Sequence, residues 1–519
     1  MEMVNFAPVM FAGLVVIMLI GFPVAFSLAA LGLGSAFYAI QMGWFPAAFM
    51  GNLPISIFSI LNNELLLAIP FFTFMGTILE KCGLAEDMLD SMGQLFGPIR
   101  GGLGYSVILV GFILGAITGT VAGQVIAMAL ISLPVMMRYG YNMRYTTGVL
   151  AASGTITQLV PPSLVLVVLA DQLGKPVGDM YKGAWGPSLL QIAMFALYTF
   201  ALSRIKPEYV PGVPRSARTL DGWPLWRKCL KGIIPSAILI FTVLGSMGGL
   251  PFQSSAIATP TEAGAMGVVG ALILAATSRR LTMALIWEAM TGTMRLTAMV
   301  VFILIGSRVF SQVFQGVDGA KWVEHLLTGL PGGQVGFLIV VNIFVFFLAF
   351  FLDFFEIAFI IVPMLAPVAA KLGIDLVWFG VLLCVNLQTS FMHPPFGFAL
   401  FYLRGIADTL FKDKRIPVPV QSNDIYMGAI PWVIMQVILV FVVIFVPQSV
   451  TMFLDKEIEV DLDKVTIEMP ADEPPALPEL KPGEPAPATN PVEAAAAADK
   501  ATEKSAADEQ QKIDDLFKK

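Results

Sequence analysis

Asp353 and Glu356 stand in the run Phe351-Leu352-Asp353-Phe354-Phe355-Glu356, two carboxylates set among Phe, Leu and Ile. They are three residues apart, so a helix places both on one face. An ionisable group inside such a run costs about 2.5–3.5 kcal/mol on membrane-insertion scales and therefore faces protein or water rather than lipid. Three chemistries suit the pair: binding a cation, carrying a proton, or pairing with a base such as Arg308. Downstream, the apolar segment holding Asn386, Gln388, Thr389, Ser390 and His393 is interrupted by Pro394-Pro395. Two successive prolines remove backbone donors and break a helix. Lipid cannot satisfy the freed carbonyls and amides, whereas a bound ion or substrate can. The neutral oxygens and amides nearby serve such a ligand or simply pack helices through small polar groups. His393 reads either as a ligand or as a hydrogen-bonded structural group.

The first half of the chain carries a matching set. Thr118, Gly119 and Thr120 lie at the small, polar centre (Gly115 to Gln124) of an apolar run from Leu103 to Met137. A re-entrant hairpin with its tip at mid-membrane is expected there, the alternatives being two short spans or one kinked helix. Gly154, Thr155 and Thr157 then lead into Pro161-Pro162-Ser163, which breaks a span running from about 145 to 173. Neutral oxygens beside unwound carbonyls suit a weakly held Na⁺, and half-helix N-termini favour an anionic group. Thr259-Pro260-Thr261-Glu262 has capping-box spacing, with a structural or a site role.

The elements that must position these residues are membrane helices. The chain has 519 residues, 57% hydrophobic and 13% charged, with mean hydropathy +0.79, which no soluble fold could keep from water. The expected fold is all-α and multi-pass in lipid, with no nucleic-acid partner. Spans of the roughly 20 residues that a bilayer demands are expected near 6–20, 21–40, 64–80, 183–203, 229–248, 261–278, 296–313 and 425–447. The first lacks a basic leader and cleavage site, so it reads as a retained helix. Cys82, Cys229 and Cys384 are scattered and form no disulfide or zinc framework. The basic loop 204–231 belongs on the cytoplasmic side by the positive-inside rule. The Pro- and Ala-rich acidic tail, 448–519, reads as disordered, with a short amphipathic or fraying end after Glu509.

The chain also repeats. Pro134-Val135 matches Pro367-Val368, Gly140 matches Gly373, and Pro161-Pro162 matches Pro394-Pro395, all at one offset (367 − 134 = 394 − 161 = 233). The expected plan is scaffold spans over 1–62, repeat 1 over 63–203, the basic loop over 204–231, connecting spans over 232–295 and repeat 2 over 296–447. Repeat 1 holds a hairpin at about 103–137 and a broken helix at about 145–173. Repeat 2 holds a hairpin at about 335–371 and a broken helix at about 376–404. An odd number of crossings separates the halves, so they are expected to be inverted, the architecture of secondary transporters with sites between the halves.

Gly115-Ala116-Ile117-Thr118-Gly119-Thr120, Gly154-Thr155 to Ser163, Thr259-Pro260-Thr261-Glu262-Ala263, Leu352-Asp353 and Pro394-Pro395-Phe396-Gly397 together resemble the large membrane subunit of tripartite ATP-independent periplasmic (TRAP) transporters, the DctM-like permeases. The resemblance extends to about Pro447. It implies an elevator-type importer of organic acids in a bacterial inner membrane, driven by Na⁺ and needing no other cofactor. It also implies a periplasmic binding protein and a small four-helix membrane subunit as partners, with the hairpin tips and proline breaks forming the ion and substrate sites. The chain departs from the common pattern at Val121 to Gln124, Glu356 and His393. A self-sufficient ion-coupled carboxylate transporter of similar architecture is the alternative. An intramembrane hydrolase lacks a nucleophile motif or His-Glu-x-x-His spacing, and no glycine-rich ATP motif is present.

Overall fold

Each long apolar run becomes a helix, because a chain in lipid must satisfy its own backbone hydrogen bonds. The computed structural model describes residues 6–455 apart from 215, 217–221, 254, 351, 395 and 396; the side chains of 19, 117 and 118 are also outside the description. Pro395, the side chain of Thr118 and the tail beyond 455 are therefore outside the described residues.

α1 (Phe6–Ile20) and α2 (Val24–Gln41) part at Gly21, where φ is +85°. A 3₁₀ turn (Ala47–Asn52) and α3 (Leu53–Leu61) lead through a 44° bend into α4 (Glu64–Lys81). After α5 (Leu84–Phe96), α6 (Gly102–Thr118) and α7 (Val121–Arg138) form hairpin 1. α8 (Met143–Thr155), a 3₁₀ turn (Ile156–Gln158) and α9 (Leu164–Leu173) form the first broken helix, followed by α10 (Val177–Ile205), α11 (Trp223–Ser246) and α12 (Pro260–Thr277). α13 (Met283–Gly316) and α14 (Gly319–Thr328) precede hairpin 2, whose first arm is α15 (Gly333–Leu348). Its second arm is α16 (Phe354–Glu356), a π turn (Ile357–Ile361) and α17 (Val362–Lys371). α18 (Leu376–Ser390) and α19 (Phe398–Lys412) form the second broken helix, and α20 (Ser422–Phe445) and α21 (Gln448–Thr451) complete the described chain.

Among the described residues, eight helices are long and apolar enough to cross a membrane, or ten if each bent pair counts as one span. The protein is all-helical and multi-pass, as its composition requires. One order of elements occurs twice: a span, a short helix, a hairpin, a broken helix and a span, from α4 to α10 and again from α13 to α20.

The short helices α5 and α14 were not expected from the apolar runs. α5 buries Leu84, Met88, Leu89 and Met92 while Glu86, Asp87 and Asp90 lie on other faces. α13 begins 13 residues earlier than expected (296 − 283), and its 34 residues span about 51 Å against a core of about 30 Å. The added turns carry Glu288, which pairs with Lys81 at the end of α4. Thr259 and Glu262 form the expected capping box, with Thr259 N–H donating to Glu262 Oε2 at 2.8 Å, which is a structural role.

Close helix approach fixes the frame. A Cβ at Gly32 of α2 would lie 3.0 Å from the Phe310 backbone of α13, and one at Gly148 of α8 would lie 2.2 Å from the Gly428 carbonyl of α20. The side chain of Trp432, wholly buried, fills the space beside Gly148. In hairpin 2 the π turn leaves the Phe359 carbonyl to accept a hydrogen bond from Ser307 Oγ of α13 at 2.5 Å.

Candidate functional site

Tip 1 is a two-residue turn. Gly119 closes α6 with φ +64°, a conformation that costs glycine little, and extended Thr120 opens α7. Gln124, one turn into α7, donates from Nε2 to the Gly111 carbonyl at 2.6 Å and the Ser153 carbonyl at 2.8 Å. It thereby ties both hairpin arms to α8. Gly111 and Gly115 are small because α8 and its 3₁₀ turn lie against them: a Cβ at Gly111 would meet Ser153 Cβ at 2.7 Å, and Thr157 Oγ1 donates to the Gly115 carbonyl at 2.8 Å.

Tip 2 is longer and acidic. Asp353 caps α16, its Oδ1 accepting from Phe354 N–H at 2.7 Å, while Glu356 Oε2 accepts from Asp353 N–H at 2.9 Å. The pair is a capping box. Among the described residues neither carboxylate pairs with Arg308, which lines a separate cavity. The local backbone donors hold Glu356 because the three-residue spacing suits a helix start. Asp353 occupies the position of Thr120 in the other hairpin, at the same offset (353 − 120 = 233).

The two proline breaks cross. Cys384 Sγ of α18 donates to the Gln158 carbonyl at 3.2 Å, and Thr155 Oγ1 approaches Met392 Sδ at 3.6 Å. Gln436 Nε2 of α20 donates to Thr155 Oγ1 at 3.1 Å. Ser163, after the Pro161-Pro162 pair, caps α9 by accepting from Val165 N–H at 3.2 Å and donates to the Gln158 carbonyl.

Both tips and both breaks line one cavity of about 220 Å³. Tip 1 contributes Gly119 and Thr120, and tip 2 contributes Asp353 and Phe355. Gln158 and Val165 come from the first break, Phe391 and Tyr402 from the second, and Leu296 and Met299 of α13 close the wall. The lining is largely apolar, with Thr120, Gln158, Asp353 and Tyr402 as its polar groups. Such a cavity confines a small solute and orients it by few contacts.

The remaining sequence candidates surround the cavity without lining it. Gly154 packs against Val125, where a Cβ would meet Cγ2 at 2.2 Å. Asn386 Nδ2 donates to the Asn342 carbonyl at 2.8 Å, while Thr389 and Ser390 return their hydroxyls to the carbonyls of Asn386 and Leu387. Gln388 is wholly buried with neither amide atom hydrogen-bonded among the described residues. His393, before Pro394, is buried against Phe346 and Phe350, at ring-centroid distances of 4.0 and 4.5 Å, with neither ring nitrogen partnered among the described residues. Sequence reasoning passed over Tyr402, Gln436 and Glu80. A Cβ at Gly123 would sit 2.2 Å from Glu80 Oε2, so an acidic group of α4 lies beside tip 1. Glu80 stands at a span end next to Lys81, where a charge at a membrane boundary carries no distinguishing sequence signal.

The sequence profile of the tripartite ATP-independent periplasmic transporter, DctM component, matches residues 11–449. The chain is 28% identical over 398 residues to the C4-dicarboxylate TRAP transporter large permease protein DctM of Pseudomonas aeruginosa, covering 76% of this chain and 87% of that one. It is 25% identical over 433 residues to the 2,3-diketo-L-gulonate TRAP transporter large permease protein YiaN of Escherichia coli K12, covering 83% and 95%. It is also similar to the isethionate TRAP transporter permease protein DctMQ of Oleidesulfovibrio alaskensis, at 24% identity over 77% of this chain and 60% of that one. The crystal structure of the Alcanivorax borkumensis YdaH transporter shares the fold with a TM-score of 0.50 at 15% identity, over 78% of this chain and 87% of that one. The chain thus belongs to the DctM component family of tripartite ATP-independent periplasmic transporters, as a large permease subunit of the inner membrane and not an enzyme.

Proposed function

We propose that the chain imports an organic acid together with Na⁺, and that the cavity between the hairpin tips and proline breaks is where the two are held. The observation that carries this reading is the convergence of residues 119–120, 158, 353 and 402, far apart in sequence, on one cavity. Asp353 supplies the one formal charge among the lining residues, and oxygens of Thr120, Gln158 and Tyr402 supply hard neutral donors suited to an alkali cation. Gln158 Oε1 is a buried acceptor without a partner among the described residues, so an ion or a substrate donor placed there satisfies it.

Relatives named as permeases for C4-dicarboxylates and for 2,3-diketo-L-gulonate support a substrate among small organic acids of this kind. A periplasmic binding protein delivers it, and a small membrane subunit completes the complex, as the joined name DctMQ of one relative suggests. The two similar series of elements are read as inverted halves, with both hairpins moving relative to α2 and α13. Uptake of radiolabelled C4-dicarboxylates into proteoliposomes holding the chain and its small subunit tests this reading, with binding protein outside. Accumulation is expected only with inward-directed Na⁺ and binding protein together. Full-rate uptake without either one refutes the corresponding part.

A further inference from the structure

A second cavity, of about 240 Å³, lies between α13, the end of α9, α14 and the second arm of hairpin 2. It is separate from the tip cavity, its lining beginning at Phe359, one turn beyond Phe355 on that arm. Asp353 and Phe355 at the start of the arm line the tip cavity, whereas Pro363 and Pro367, further along it, line this one. Arg308 projects into it from α13, 25 residues (308 − 283) and about 38 Å along the helix from its Met283 end. That end follows Arg279 and Arg280, which belong on the cytoplasmic side. The cavity therefore lies toward the outer face.

Its charges are unevenly satisfied. The Asp171 carboxylate accepts from Asn63 Nδ2 and from Gln172 Nε2, each at 2.8 Å, and Glu324 is paired with Lys371. Arg308 is the one cation among the described lining residues, and it forms no ion pair with either carboxylate. A guanidinium presents a planar fork of donors that matches a carboxylate in bidentate fashion. Here Arg308 lines a partly open space large enough for a small organic acid, with Ser311 one turn further along α13.

We propose that this cavity is a carboxylate-binding vestibule on the outer side, anchored by Arg308 and separated from the tip cavity by the second arm of hairpin 2. Its assignment to the entry route of the substrate rests on the organic-acid reading above; its anion selectivity does not. Ser311→Cys in the full chain supplies a reporter, because Cys82, Cys229 and Cys384 are all buried. Labelling from the outside with an anionic and a cationic methanethiosulfonate reagent, each normalised to its rate with a free thiol, reads the local potential. Relative to the Arg308→Gln form, in which Asp171 and Glu324 are unchanged, the anionic reagent should be favoured about 5-fold or more, a size expected for one charge within several ångströms. Arg308→Gln should abolish the preference and Arg308→Lys should retain it. Succinate should slow labelling more than sodium chloride of equal ionic strength.

A preference unaffected by Arg308→Gln, protection by succinate no better than by chloride, or no labelling by either reagent overturns the vestibule. Loss of selectivity with dicarboxylate uptake intact removes the vestibule alone. Selectivity without any dicarboxylate uptake removes the transport reading and leaves the anion site standing.

Discussion

Asp353 combines two roles that substitution can separate. As the cap of α16 it accepts from Phe354 N–H, and in the proposed ion site it is the charged lining residue of the tip cavity. Asp353→Asn keeps a side-chain oxygen of the same reach, so the cap survives. What is lost is the charge at a helix N-terminus, about 0.3–1 kcal/mol. Asp353→Ala also removes the cap, about 1 kcal/mol more. For ion binding the ranking changes: a contact to a charged ligand is worth about 1.5–3 kcal/mol, so either variant should weaken apparent Na⁺ affinity by roughly 10- to 150-fold. The paired assays are thermal unfolding of the purified protein and the Na⁺ dependence of uptake in proteoliposomes. Asp353→Asn should unfold close to the wild type while its Na⁺ curve moves to much higher concentration. An unshifted Na⁺ curve for Asp353→Asn would show that the residue serves only as a cap.

Gly148→Ala should destabilise the protein by about 1–3 kcal/mol, because the new methyl meets the Gly428 carbonyl and Trp432; a wild-type unfolding midpoint would show that α8 and α20 can separate freely. Gln124→Leu should cost about 1–3 kcal/mol through loss of its bonds to the Gly111 and Ser153 carbonyls, and should increase protease access at tip 1. Unchanged stability and cleavage would remove Gln124 as a brace. His393→Phe should hold or raise stability by about 1 kcal/mol, since it replaces a buried ring without hydrogen-bond partners among the described residues; a lower midpoint would reveal that the imidazole is needed in place.

The hairpins and breaks were legible because their signals are strong locally: Gly119 for a positive φ, and prolines where a helix must stop. The role of Glu356 was also written in the chain. Asp353-Phe354-Phe355-Glu356 has the same three-residue capping spacing that was recognised at Thr259 and Glu262, but two carboxylates in an apolar run drew attention to ligand chemistry instead. α5 and α14 carry no long apolar run, since an amphipathic helix buries only a stripe, so hydropathy alone does not mark them. Convergence of Tyr402 and Gln158 on the tips could not be read from spacing, since it depends on how the broken helices cross. The position of Arg308, away from the acidic tip, depends likewise on tertiary packing.

The π turn of hairpin 2 gives the protein a mechanical detent. Its Phe359 carbonyl is held by Ser307 on the neighbouring long helix. Any slide of the hairpin along α13 strips that bond from a buried acceptor, at a cost of about 1–3 kcal/mol, until another donor comes into register. That cost weights the docked position about 5- to 150-fold. If the hairpin moves along α13 as proposed above, it would leave its seat in a step rather than a drift, and the position of the next hydroxyl or amide along α13 would set the length of its stride.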